Sequence, residues 1–238
     1  MVASVLWHAP AARAFDLKRT DRGALVRWHT DTVTFAVVAP AHAAMSHGEL
    51  AHATEIALDA WRGMPGLPEL VVCRPSARCA PDVTIEVPAD WAHDPGRLAV
   101  TLDTYEATSG AMVSAHVLVN PRFRESVLDE ASPDMSSYDL ASTLAHEVGH
   151  VLGLSESGFR EATMWPDGGR GDTIARTLDV DDETAIATLY DASDATPPLL
   201  YACQAAPAGR SGPAVPMVLA VTLGVVALRA RRRRVACA

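Results

Sequence analysis

Apolar and polar positions follow one another along the chain in an order that predicts a mixed α and β domain. Residues 32–38 (TVTFAVV) are rich in β-branched side chains and run up to Pro40, the pattern of a strand. Ser46 can cap a helix through ELAHATEIALDAW, where Leu50, Ala53, Ala57 and Trp61 recur at three- and four-residue steps. Gly63, Pro65, Gly66 and Pro68 stop it. Short strands are expected at 69–72, 83–87, 98–102 and 112–119. A second helix over 138–152 carries the apolar stripe Leu140, Leu144, Val148 and Leu152. A third, over 181–190, opens on acids, which the positive end of the helix dipole favours. No segment repeats. Strands precede the main helices with few βαβ alternations, so the expectation is an α+β fold on a mixed sheet.

Composition supports that picture. A chain of 238 residues, 49% hydrophobic and 21% charged, fits one core-forming domain plus extensions and is not a disordered chain. The net charge of −9 is uneven: five of the 20 Lys and Arg lie at Arg229 and Arg231 to Arg234, and no acid follows Asp194. An acidic body argues against a nucleic-acid partner, which needs a basic face. Four cysteines are too few for a disulfide scaffold and lack the paired spacing of a zinc ribbon. Cys73 and Cys79, with five residues between them, would close a small loop in an oxidising compartment and remain thiols in cytosol.

The chain ends bear on the compartment. Residues 1–14 hold a short apolar stretch and then Ala12-Arg13-Ala14, similar to a signal-peptidase site. They are read as a truncated export signal, the alternative being a plain tail. At the other end, a Pro/Gly linker (196–213) leads to the segment 214–238, an uncharged apolar run followed by the Arg cluster. Cysteine, apolar run, then arginines resembles the sorting tails of bacterial surface proteins of the MYXO-CTERM type. That resemblance implies sorting machinery as a partner, Cys203 as a possible lipid-attachment site, and an extracytoplasmic protein, secreted or anchored through its tail. The folded domain is then 15–195.

The chemistry sits in STLAHEVGHVLGLSES. His146 and His150, four apart on a helix, converge on one metal ion, and Glu147 beside them can reach a water. So short a pattern also fits a surface helix with two satisfied histidines. Gly153 follows three residues after His150, where the helix must stop. Glu156 stands where the longer HExxHxxGxxH pattern has its third histidine. Eight residues beyond Glu156, ATMWP places Met164 in a segment that resembles a Met-turn. Order and spacing resemble the metzincins, and within them the matrixin-like metallopeptidases.

The resemblance covers roughly residues 30–190. The opening strand and helix ending at Trp61 are similar to the family's first strand and helix, and LDVDDETAIATLY to its C-terminal helix. TSGAMVSAHVLVN resembles the edge strand above the family's cleft, ending at Asn120. It implies a twisted mixed sheet, two long helices and a C-terminal helix below the cleft. It also implies a Zn2+-dependent endopeptidase, monomeric, acting on a peptide or protein. His146, His150 and Glu156 would be the ligands, Glu147 the general base acting on a zinc-activated water, and Met164 the floor. The segment around Cys79 is superficially similar to the family's latency switch but lies inside the domain, so a Cys73–Cys79 disulfide is the better reading. Two His with one Glu is an established zinc set, though the anion makes zinc a weaker Lewis acid. His116 is the alternative third ligand. The alternative function is a surface-displayed binding domain with a weakened metal site, against which the presence of Glu147 argues.

Overall fold

The β-branched run forms β2 (Thr32–Val37), which joins β3 (Glu69–Val72), β4 (Val83–Glu86), β5 (Ala99–Tyr105) and β6 (Met112–Val119) in a five-stranded sheet. The coordinates are a computed structural model describing residues 15–38, 40, 45–73 and 79–190, all within a unit spanning 1–195. The order is β3-β2-β4-β6-β5. The first three pairings are parallel and β5 runs antiparallel to β6, with Thr101 opposite Val117. Alternation along the strands buries Val33, Phe35, Val83, Ile85 and Val117 completely on one face.

The helices α1 (His47–Trp61) and α2 (Leu140–Val151) pack on each other and cover this face. Ser46 caps α1, its hydroxyl accepting from Glu49 N at 3.1 Å, and Asp139 caps α2 by accepting from Ser142 N at 2.8 Å. Trp61, fully buried, donates its indole N–H to Ala145 O of α2 at 2.9 Å and so fixes the two helices side by side. After α2 come β9 (Leu154–Ser157), a 3-10 turn (Ile174–Arg176) and α3 (Val180–Tyr190).

Most expected elements are present, with three corrections. Residues 112–119 are not the edge of the sheet: β6 lies between β4 and β5, and β5 is the edge. The strand expected at 98–102 runs on to Tyr105, because its partner β6 is long enough to pair with it throughout. Tyr138 and Asp139 are not helical but form β8, paired in parallel with β7 (Glu125–Ser126). The sequence also gave no sign of β1 (Phe15–Leu17), which pairs antiparallel with β9.

Cys73 and Cys79 are joined by a disulfide, with Cα atoms 6.0 Å apart. The expected export segment (1–14), linker (196–213), sorting tail (214–238) and Cys203 lie outside the described residues. Among the described residues, no helix is long and apolar enough to cross a membrane.

The end of α2 sets the position of everything after it. Gly153 has φ 101°, a left-handed backbone that favours glycine, and a Cβ there would lie 2.1 Å from Val26 O. Its own carbonyl accepts from Lys18 N at 2.9 Å. The last carbonyls of α2, which have no helical partner, are filled from outside. Trp28 Nε1 donates to Val151 O at 2.9 Å and Tyr190 Oη to Leu152 O at 2.8 Å. Gly153→Ala should therefore cost at least about 1–2 kcal/mol from the backbone alone, with the Val26 contact adding to it. Urea denaturation of the two proteins measures the difference.

Candidate metal centre

One helical turn separates His146 from His150, and their rings meet edge to face at 87° with centroids 4.7 Å apart. Each ring is oriented from behind. His146 Nδ1 donates to Thr163 O and His150 Nδ1 to Leu154 O, both at 2.9 Å. A carbonyl only accepts, so Nδ1 carries the hydrogen in each ring and Nε2 presents a lone pair. Burial, aided by the neighbouring His146, pushes His150 down to about 3, which keeps its imidazole neutral.

Glu156, on β9, faces both lone pairs: Oε2 lies 3.4 Å from His146 Nε2 and Oε1 3.8 Å from His150 Nε2. Oε2 is buried and has no hydrogen-bond partner. Three acceptor atoms facing one another with no proton between them are mutually repulsive unless a cation lies among them. One donor atom from each residue lies within 4.8 Å of the other two. Tetrahedral zinc with bonds of ~2.0–2.1 Å holds its ligand atoms roughly 3.4 Å apart, so the donor set fits that ion with little adjustment.

Glu147 projects beside this cluster. Thr101 on β5 donates its hydroxyl to Glu147 Oε2 at 2.5 Å and also lies 3.2 Å from Glu147 O, tying the sheet's edge strand to the helix. Glu147 is 6% exposed, and burial raises its pKa despite the opposing effects of His146 and Thr101. A carboxylate held in a dry site with raised basicity suits a general base.

Met164 is buried against α2, where a Cβ on Gly149 would lie 2.1 Å from its Sδ. Glycine at that helical position leaves room for the thioether. The turn carrying Met164 is held from α3 by buried Asp182. Its carboxylate accepts from Thr163 N at 2.8 Å and Met164 N at 3.1 Å. Ser157 N donates to Met164 O at 2.7 Å, so the same turn also anchors β9.

A cavity of about 450 Å³ opens at the cluster, lined by His146, Glu147, Ser142, Thr143, Trp165 and the loop 166–169 among others. Behind α2, Arg176 pairs with buried Asp139 at 2.5 Å. Burial opposes the charge on Asp139, but Arg176 and two backbone amides hold its carboxyl below the usual range. Glu125, on β7, is buried without such a cation. Neither of its oxygens accepts a well-formed hydrogen bond, and burial pushes it up to about 8, opposed by the nearby Thr143 hydroxyl, with Glu147 and Asp139 adding repulsion.

The structure thus brings together His146, Glu147, His150, Glu156 and Met164. His116 is elsewhere: it lies on β6, paired with Glu86 on β4 at 3.3 Å. Reading the sequence missed Thr101, Asp182 and Glu125. The pair of acids opening α3 was visible, but its role as a clamp on the Met164 turn depends on a contact 18 residues away.

A matrixin sequence model matches residues 27–191. The cluster, the mixed sheet and this match together place the chain in the matrixin family of zinc-dependent metallo-endopeptidases. A search of curated proteins finds no significant match.

Glu125 gives a pH dependence. Its folded-state pKa is raised, so its contribution to stability is fully present below its ordinary value and is lost as pH rises through about 8. Glu125→Gln keeps the shape and removes the charge. Relative to the parent it should be little changed near pH ~5 and more stable near pH ~8, by on the order of a few kcal/mol. Urea denaturation across that range tests the divergence.

Proposed function

We propose that the protein is an extracytoplasmic zinc endopeptidase in which His146, His150 and Glu156 hold the metal. The observation that carries this reading is the buried, unpartnered oxygen of Glu156 aimed at His146 Nε2, with Glu147 alongside. Bound zinc would supply Lewis acidity, polarising the scissile carbonyl and making water acidic. The remaining steps belong to the chain. Glu147, oriented by Thr101, takes a proton from the attacking water and delivers it to the departing amine. His146 and His150 keep their Nδ1 hydrogens on Thr163 O and Leu154 O throughout, so their orientation does not depend on substrate. The cavity beside His146 receives a substrate side chain, with the loop 166–169 as part of its wall. Matrixins are typically extracellular, and the Cys73–Cys79 disulfide agrees with an oxidising compartment. A tail processed at or near Cys203 would keep such an enzyme at the cell surface.

Two variants separate the roles. Glu147→Ala removes the base and no ligand, so it should bind one zinc per chain and lose at least ~100-fold in casein hydrolysis. Normal turnover by that variant would remove Glu147 from the mechanism, and a parent that binds zinc without any turnover would favour a binding domain.

Glu156→Gln removes the anionic donor at constant size and should weaken zinc by more than the ~10–100-fold typical of losing an outer partner. Competition with a chromophoric chelator measures it.

A further inference from the structure

We propose that Arg97 is a positioning residue for Glu156, taking the place of the backbone acceptors that orient the two histidines. This rests on the reading of Glu156 as the third ligand. An imidazole ligand carries a hydrogen on its second nitrogen, and here both histidines spend theirs on a backbone carbonyl. A carboxylate has no such hydrogen. Its free oxygen needs a donor, and its charge a cation.

Arg97 supplies both. Its Nη1 lies 3.5 Å from Glu156 Oε1, whereas Oε2 faces His146. Oε1 thus lies between the guanidinium and His150, while Oε2, which no donor reaches, turns towards His146. Among the described residues Arg97 has no other ion-pair partner. The loop that carries it is braced. Buried Asn120 donates its side-chain amide to Arg97 O at 2.7 Å, and Asn120 N donates to Leu98 O at 2.7 Å. Arg97 N donates to Asp94 O at 3.2 Å, and Trp91 Nε1 donates to the same carbonyl at 2.8 Å. The backbone at 97 is therefore fixed, and the side chain reaches Glu156 from it.

The ion pair is half exposed and contributes little to folding stability by itself. Its effect is on the ligand. It restrains a long, partly exposed carboxylate side chain in the rotamer that meets the histidines. It also offsets the extra negative charge that Glu156 brings next to Glu147.

The test is zinc affinity, measured with zinc alone against a chromophoric chelator, in full-length protein. Arg97→Ala should weaken zinc roughly 10–100-fold, the usual consequence of losing an outer-shell partner. Arg97→Lys should lose less than Arg97→Ala, and Arg97→Glu more, because charge and reach set the order. In a Glu156→His background, Arg97→Ala should leave zinc affinity unchanged or tighter, since an imidazole there needs no cation. An unchanged affinity in Arg97→Ala, or Lys and Ala variants that lose equally, overturns the assignment, as does an equal loss in both backgrounds. Glu156→Gln distinguishes the two levels: if it binds zinc like the parent, the third-ligand reading fails. If it binds weakly while Arg97→Ala does not, only the role of Arg97 fails.

Discussion

Everything at the metal centre depends on α2 stopping within three residues of His150 and sending the chain back. A helix that continued for one more turn would carry Glu156 away from the two histidines. Gly153 permits the reversal, but a left-handed residue alone does not hold it. The freed carbonyls of Val151 and Leu152 must be filled, and they are, by Trp28 from the segment before the sheet and Tyr190 from the last helix. The turn also leaves Gly153 against Val26 O, closer than any side chain allows. Parts of the chain more than a hundred residues apart therefore meet at one helix terminus. The return strand β9 gains a partner in β1, which gives the candidate third ligand a strand rather than a loose loop to stand on.

The same region handles acidic groups in three different ways. Asp139 is buried but paired with Arg176, and it caps α2 while charged. Asp182 is buried and satisfied by backbone amides, so it works as a clamp for the Met164 turn even though burial raises its pKa. Glu125 has neither cation nor amide and is the one the fold favours in its protonated form. Glu147 sits between these extremes, with one hydroxyl bond from Thr101 and a histidine beside it. A carboxylate required to accept a proton and give it back is suited to such an intermediate environment.

Local pattern made much of this legible. The limits of β3 and β6, the Ser46 cap and the end of α1 at Trp61 all follow from apolar spacing and turn residues, because these are decided within a few positions. The histidine helix, its glycine stop and the methionine turn were legible for the same reason. Strand order was not. Which of β5 and β6 lies at the edge is decided by pairing between distant segments, and both have ordinary strand composition. Three residues in β1 and two in each of β7 and β8 carry no period at all. Glu125 reads as a surface residue in any composition rule, since burial of an unpaired carboxyl is a property of its surroundings.

A glutamate as the proposed third ligand would change more than the donor atom. Imidazole ligands are oriented by acceptors, and a helix end or a turn offers carbonyls freely, as Thr163 O and Leu154 O do here. A carboxylate is oriented by donors, which near the C-terminal end of a helix are scarce, because the unpaired groups there are carbonyls. The donor must then come from outside α2 and β9. The loop entering β5 is well placed to provide it, because β5 already touches α2 through Thr101 and Glu147, and Asn120 fixes the loop's backbone from the neighbouring strand's end. The edge strand and the loop entering it thus meet both carboxylates of the candidate site, Glu147 through the Thr101 hydroxyl and Glu156 through the Arg97 guanidinium.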